Sequence, residues 1–168
     1  GDVYKRQTQQ RGILCNDIEN HPSRWPKGAQ PSLPLWLATH PRCTPYDPAS
    51  GEEARAIVLA ALRTLYVDGK PGFYYLALHD HEGAAPLSEQ DREAALKGMY
   101  PLQRHTLGDV RLLGAGRALE EVAQAKRLLA QDWNITAQLW SCPSYTRLAR
   151  EAAAVERWNR LHPGVPKR

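Results

Sequence analysis

DVRLLGAGRALEEVAQAKRLLAQDWNITAQLWSCPSYTRLAREAAAVERWNRLH, residues 109–162, is the stretch that decides the fold. Val110, Leu112 and Leu113 form a short apolar run that stops at Gly114-Ala115-Gly116. From there the apolar spacing lengthens to Leu119, Val122, Ala125 and Leu129, which is the period of a helix. The switch predicts a strand feeding a helix over Arg117 to Asp132. Ile135, Ala137, Leu139 and Trp140 predict a second strand, and Ser144 is placed to N-cap a helix from Tyr145 to Leu161. Two β-α steps in succession predict an α/β fold with a mostly parallel sheet covered by helices.

Working outward, 168 residues with 42% hydrophobic and 24% charged composition suffice for one medium domain or pieces of two. The net charge is +4, but Lys and Arg are scattered among acids with no long basic run, which argues against a nucleic-acid partner. Cys15, Cys43 and Cys142 are far apart and include no Cys-x-x-Cys pair. They indicate neither a zinc ribbon nor a disulfide framework, and a reducing cytoplasm is the expected setting. No apolar run approaches the roughly 20 residues that span a bilayer. The opening Gly1-Asp2-Val3-Tyr4-Lys5-Arg6-Gln7 joins poorly to the residues after it and is set aside as a scar. Both ends look cut, so the chain is expected to be a fragment.

Prolines crowd residues 8–50, and this stretch is expected to be loop. Leu33, Leu35, Trp36 and Leu37 are its one apolar island, a candidate edge strand beside Pro31 and Pro34. Asp47-Pro48 then predicts a helix start, with Ser50 and Glu53 as an alternative capping box. Ala54, Ile57, Val58, Ala61, Leu62 and Leu65 supply its apolar stripe. Phe73 to Leu78, without a charge, predicts a strand buried on both faces. Residues 79–108 are linker-like, with a short helix from Ser88 to about Lys97 that Gly98 breaks. The expected division is a scar at 1–7, one module over 8–85, a linker over 86–105, and a second module from 106 to 168.

Ser144-Tyr145-Thr146-Arg147-Leu148-Ala149-Arg150 and Glu156-Arg157-Trp158-Asn159-Arg160-Leu161-His162-Pro163 resemble the start of the C-terminal domain of the homodimeric-type pyruvate dehydrogenases. These are the decarboxylating first components of the pyruvate dehydrogenase complex. Tyr46-Asp47-Pro48-Ala49, Phe73-Tyr74-Tyr75-Leu76 and Lys97-Gly98-Met99-Tyr100 extend the resemblance, which runs from about Gly12 to Pro163. It implies the end of a pyrimidine-binding-type domain followed by the first half of a transketolase C-terminal-like parallel α/β domain. It also implies a cytoplasmic homodimer that decarboxylates pyruvate oxidatively on thiamine diphosphate with Mg, and passes the acetyl group to lipoyl arms of the acyltransferase component. The cofactor and metal would be held outside this chain, leaving the isolated chain inactive. Two alternatives stay open: a related thiamine enzyme acting on another 2-oxo acid or a ketose, and a non-catalytic relative kept for complex assembly.

Catalytic candidates come from the same resemblance. The family carries an active-site loop of the form Gly-Leu-Gln-His-Glu-Asp-Gly-His, onto which Gly12, Asp17 and His21 can be laid, with Cys15 where the first loop histidine belongs. Asp17 and His21 are therefore the catalytic candidates, with a solvated loop histidine as the plainer alternative. His79 and His81 share one face of a strand end. Two ligands do not make a metal site, so a polar strand end facing a cleft is expected. Gly114-Ala115-Gly116 lacks the rest of a phosphate-binding motif and predicts a tight turn. Cys142 is expected to be a buried small hydrophobe. Trp133, Trp140 and Trp158 are expected in packing, and Arg147, Arg150, Arg157 and Arg160 on a solvated, salt-bridged face.

Overall fold

The computed structural model describes residues 11–17, 33–79, 86–104 and 108–168. Its first sheet has the order β1-β3-β2, all parallel, from β1 (Arg11–Asp17), β2 (Cys43–Tyr46) and β3 (Gly72–Leu78). Helix α1 (Leu33–Thr39) precedes β2, and α2 (Gly51–Leu62) leads through a π-helical turn at Arg63–Val67 towards β3. The central position of β3 follows from its lack of charge, and its two faces pack into two cores. Tyr75 and Ala77 meet Cys43 on one, while Leu76 meets Tyr46 and Ile57 on the other. Leu76 and Ile57 are fully buried, each contributing about 1.5–3 kcal/mol by removal from water.

The proline-rich N-terminal stretch is thus not all loop. It holds β1, α1 and β2, and the island at residues 33–37 is helical rather than an edge strand. Pro34 lies in the first turn of α1, where a missing N–H removes no hydrogen bond. Pro45 sits in β2, which is an edge of the sheet, the place where a strand tolerates proline. The start of α2 is capped by Ser50, whose Oγ accepts from the Glu53 N–H at 3.2 Å, and not by Asp47. Its buried side is Glu53, Ala56, Ile57 and Ala61, rotated from the expected stripe, so that Leu62 is exposed.

The second sheet has the order β4-β6-β5, from β4 (Tyr100–Pro101), β5 (Val110–Gly114) and β6 (Ala137–Ser141). Strands β5 and β6 are parallel in register Leu112 with Leu139, as the β-α repeat requires, while β4 runs antiparallel to β6. Helix α3 (Glu89–Lys97) is capped by Ser88 and closed by Gly98 at φ 115°. Together with β4 it makes part of the stretch expected as linker an integral layer of the structure. Helices α4 (Ala118–Trp133) and α5 (Tyr145–Leu161) fall where the sequence puts them, the second capped by Ser144. Trp133 does not pack as expected: it is 72% exposed at the last turn of α4. Arg150 also leaves the solvated face, donating to the carbonyls of Cys43 at 2.6 Å, Ala38 at 2.9 Å and His40 at 3.0 Å.

Candidate functional site

The parallel strands of the two sheets bring their C-terminal ends to one junction. Beyond β2 stands Asp47, beyond β3 His79, beyond β5 the turn to Gly116, and beyond β6 Cys142 to Tyr145. Ends of parallel strands are where open α/β sheets bind ligands. Backbone bonds fix the junction: the Asp47 N–H donates to the Pro143 carbonyl at 2.7 Å, and the Gly116 N–H to the Asp47 carbonyl at 3.0 Å. Gly116 lies at φ +50°, and a Cβ there would stand 2.7 Å from His79 Nε2, so only glycine admits this approach.

His79 Nε2 lies 2.6 Å from Asp47 Oδ1. A carboxylate only accepts, so Nε2 carries the proton and donates, which fixes the tautomer of the neutral ring. The imidazole is 6% exposed and the carboxylate 46%, so the pair presents its acidic side to solvent. Here a polar strand end faces the junction, as expected for His79; His81 lies outside the described residues. Among the described residues no group of three or more His, Cys, Asp or Glu side chains is arranged to hold a metal ion.

Deeper in the junction is Glu53, 1% exposed. Its Oε2 accepts from the Ala49 N–H at 2.7 Å; its Oε1 accepts from the Tyr100 hydroxyl at 2.7 Å and the Ser141 hydroxyl at 2.6 Å. Tyr100 and Ser141 are cross-strand partners in β4 and β6. Burial first, and then the Glu53 carboxylate, push the Tyr100 phenol well above its ordinary value, so it stays protonated and donates. Cys142 is fully buried and bonded to the Tyr145 hydroxyl, and burial raises its thiol. Burial likewise pushes Cys43 up to about 11 against the opposing charge of Arg150. Neither thiol is a thiolate near neutrality, which agrees with the reading of Cys142 as a small buried hydrophobe.

Of the catalytic candidates, Asp17 ends β1 opposite Leu78 of β3. His21 lies outside the described residues. The stretch laid on the active-site loop is β1 as far as Asp17, with Cys15 exposed along it. The turn at Gly114 to Gly116 is tight and gives the Gly116 N–H to Asp47, so that amide is not offered to a phosphate. Glu53, Tyr100 and Ser141 were not foreseen as a group, being 47 and 88 residues apart along the chain. Only the Ser50-to-Glu53 capping spacing pointed to Glu53 at all.

Parallel β-α units joined end to end through this junction make an α/β fold, and residues 98–166 match the transketolase-like C-terminal domain. Solved transketolases share the fold: that of Leishmania mexicana at TM-score 0.55 and 16% identity, covering 71% of this chain and 17% of that one. A Pichia stipitis transketolase gives TM-score 0.54 at 21% identity, again over 71% of this chain and 17% of the other.

Among curated proteins the chain is similar to pyruvate dehydrogenase E1 components. It is 38% identical over 134 residues to the pyruvate dehydrogenase E1 component of Pseudomonas aeruginosa, covering 77% of this chain and 15% of the relative. It is 35% identical over 129 residues to that of Escherichia coli strain K12, covering 74% and 14%. The chain thus spans about 15% of the length of the curated relatives it matches.

Proposed function

We propose that the chain is part of a pyruvate dehydrogenase E1 component, which decarboxylates pyruvate oxidatively and transfers the acetyl group to lipoyl groups of the acyltransferase component. The observation that carries this reading is the 38% identity over 134 residues to an E1 component, a match that takes in 77% of this chain. Thiamine diphosphate and Mg supply the electron sink and its anchoring when bound. The Gly116 turn amide is already given to the Asp47 carbonyl, so that amide is not offered to the cofactor's diphosphate. The part played by this chain is to set the C-terminal ends of the parallel strands, and Asp17 and His21 are the residues it contributes to the reaction. The cofactor is held by segments outside this chain, in a cytoplasmic homodimer.

Cys15, standing where the family's loop carries histidine, favours a second reading in which the substrate is a different 2-oxo acid. The full-length protein assayed with thiamine diphosphate and Mg against a panel of 2-oxo acids separates the two. Turnover highest with pyruvate, abolished by omitting the cofactor, is the expected result. A preference for another acid selects the second reading, and binding of the acyltransferase without decarboxylation would overturn both. The 168-residue chain alone is expected to show no turnover.

A further inference from the structure

The Glu53 side chain does more than cap a helix. It starts on α2 of the first sheet's module, and two of its three donors, Tyr100 and Ser141, belong to the second sheet. The third, the Ala49 N–H, belongs to the segment that also holds Asp47. A single carboxylate, 1% exposed, thereby ties α2, the Asp47 segment and two adjacent strands of the other sheet together. Other polar links between the modules run between main chains or from a side chain to a carbonyl, among them Asp47 to Pro143, Gly116 to Asp47, the Ser144 hydroxyl to the Pro45 carbonyl at 2.6 Å, the Tyr46 hydroxyl to the Leu96 carbonyl at 2.7 Å, and Arg150 to the carbonyls of Cys43, Ala38 and His40.

We propose that Glu53 is the latch that holds the two sheet modules in register, so that without its carboxylate the junction loosens as a unit while both sheets stay formed. Three facing donors require an acceptor at both oxygens. A glutamine keeps the shape but either turns its NH2 group on the Ala49 N–H, donor against donor, or turns it on the two hydroxyls, which then accept from it and leave their own protons without the carboxylate that took them. Each sheet keeps its own ladder and core, since β3 packs on Tyr46 and Ile57, and β6 is paired with β5 along its length. Loss of the latch therefore falls on the junction first, in keeping with the way local openings follow the weakest cooperative unit. The latch rests on the junction's geometry and does not depend on the reaction proposed above.

The test is hydrogen exchange on the full-length protein, read by mass spectrometry on peptides covering residues 44–50 and 113–119, which span the junction, against peptides covering 72–78 and 135–141, which are sheet interior. Glu53→Gln is expected to speed exchange in the junction peptides by about ten- to a hundredfold, the range set by one buried unsatisfied donor. The interior peptides should change by less than about threefold on the same scale. Tyr100→Phe and Ser141→Ala each remove one donor without leaving another unpaired, and should show the same pattern at about three- to tenfold. They carry the test if Glu53→Gln does not fold. Equal acceleration of junction and interior peptides would reduce Glu53 to ordinary global stability, and no change in the junction peptides of the variants would remove the latch altogether.

Discussion

Gly116 gives the sharpest quantitative check on the junction, because a second glycine controls for backbone conformation. Gly116 and Gly69 both occupy the left-handed region, at φ +50° and φ +68°. A Cβ on Gly69 meets nothing within 4 Å, so Gly69→Ala should cost only the conformational penalty of about 1–2 kcal/mol. On Gly116 the added carbon would stand 2.7 Å from both Asp47 Cγ and His79 Nε2. Relief requires the His79–Asp47 bond or the Gly116-to-Asp47 amide bond to open, and a hydrogen bond to a charged group contributes about 1.5–3 kcal/mol. Gly116→Ala should therefore cost about 3–5 kcal/mol in all. Urea unfolding of the 168-residue chain followed by circular dichroism measures the difference. With a slope of about 2 kcal/mol per molar, the midpoint of Gly116→Ala should fall roughly 1 M below that of Gly69→Ala. Coincident midpoints at equal slope would show that the pair tolerates the methyl group and that the packing of Gly116 on His79 is not as described.

Asn134 closes α4 at φ 53°, where glycine is the better residue, so Asn134→Gly should raise stability by a few tenths to about 1 kcal/mol in the same assay. Arg150→Lys keeps the charge but not the fork that reaches the Cys43, Ala38 and His40 carbonyls, and should cost about 1–3 kcal/mol, seen as a lower urea midpoint. Asp109 is held below the ordinary carboxylate range by the Thr136 hydroxyl at 2.7 Å first and the Thr136 N–H at 3.0 Å second. A depressed folded value means stabilisation that is present above the unfolded value and lost as pH falls through the folded one. The midpoint gap between the native chain and Asp109→Asn should accordingly be open at about pH 7 and close in strong acid, and a gap independent of pH would contradict it.

What the sequence disclosed and what it hid divide along a physical line. The β5-α4-β6-α5 order, the parallel pairing of β5 with β6, and the caps at Ser88 and Ser144 were legible because each depends on residues within one turn or one strand. The central strand β3 was legible from its lack of charge. Strand β1 was not: it lies in a proline-rich neighbourhood, and what makes it a strand is its seven-residue register with β3, some sixty residues away. The island at residues 33–37 failed for a related reason, since a proline is compatible with both a strand edge and the first turn of a helix. At the site, His79 was recognised as a polar strand end, whereas its partner was assigned as a helix cap. Asp47 and His79 are 32 residues apart, and nothing in local periodicity pairs them.

Several residues that carry a local signal also carry the contact between sheets, and this explains why the signal was visible and its purpose was not. Ser144 caps α5 by accepting from the Arg147 N–H and at the same time donates to the Pro45 carbonyl in β2. Gly98 ends α3 in the left-handed region, and a Cβ there would stand 2.7 Å from the Ser144 carbonyl. Glu53 completes the start of α2 and reaches into the second sheet. Helix ends leave unsatisfied backbone groups, and in open α/β layers those ends gather at the edge of the sheet where neighbouring units meet. A polar side chain placed there to satisfy one end lies within reach of the next module. Capping and docking are consequently served by the same atoms, and a substitution at such a cap should disturb the neighbouring sheet before it frays its own helix.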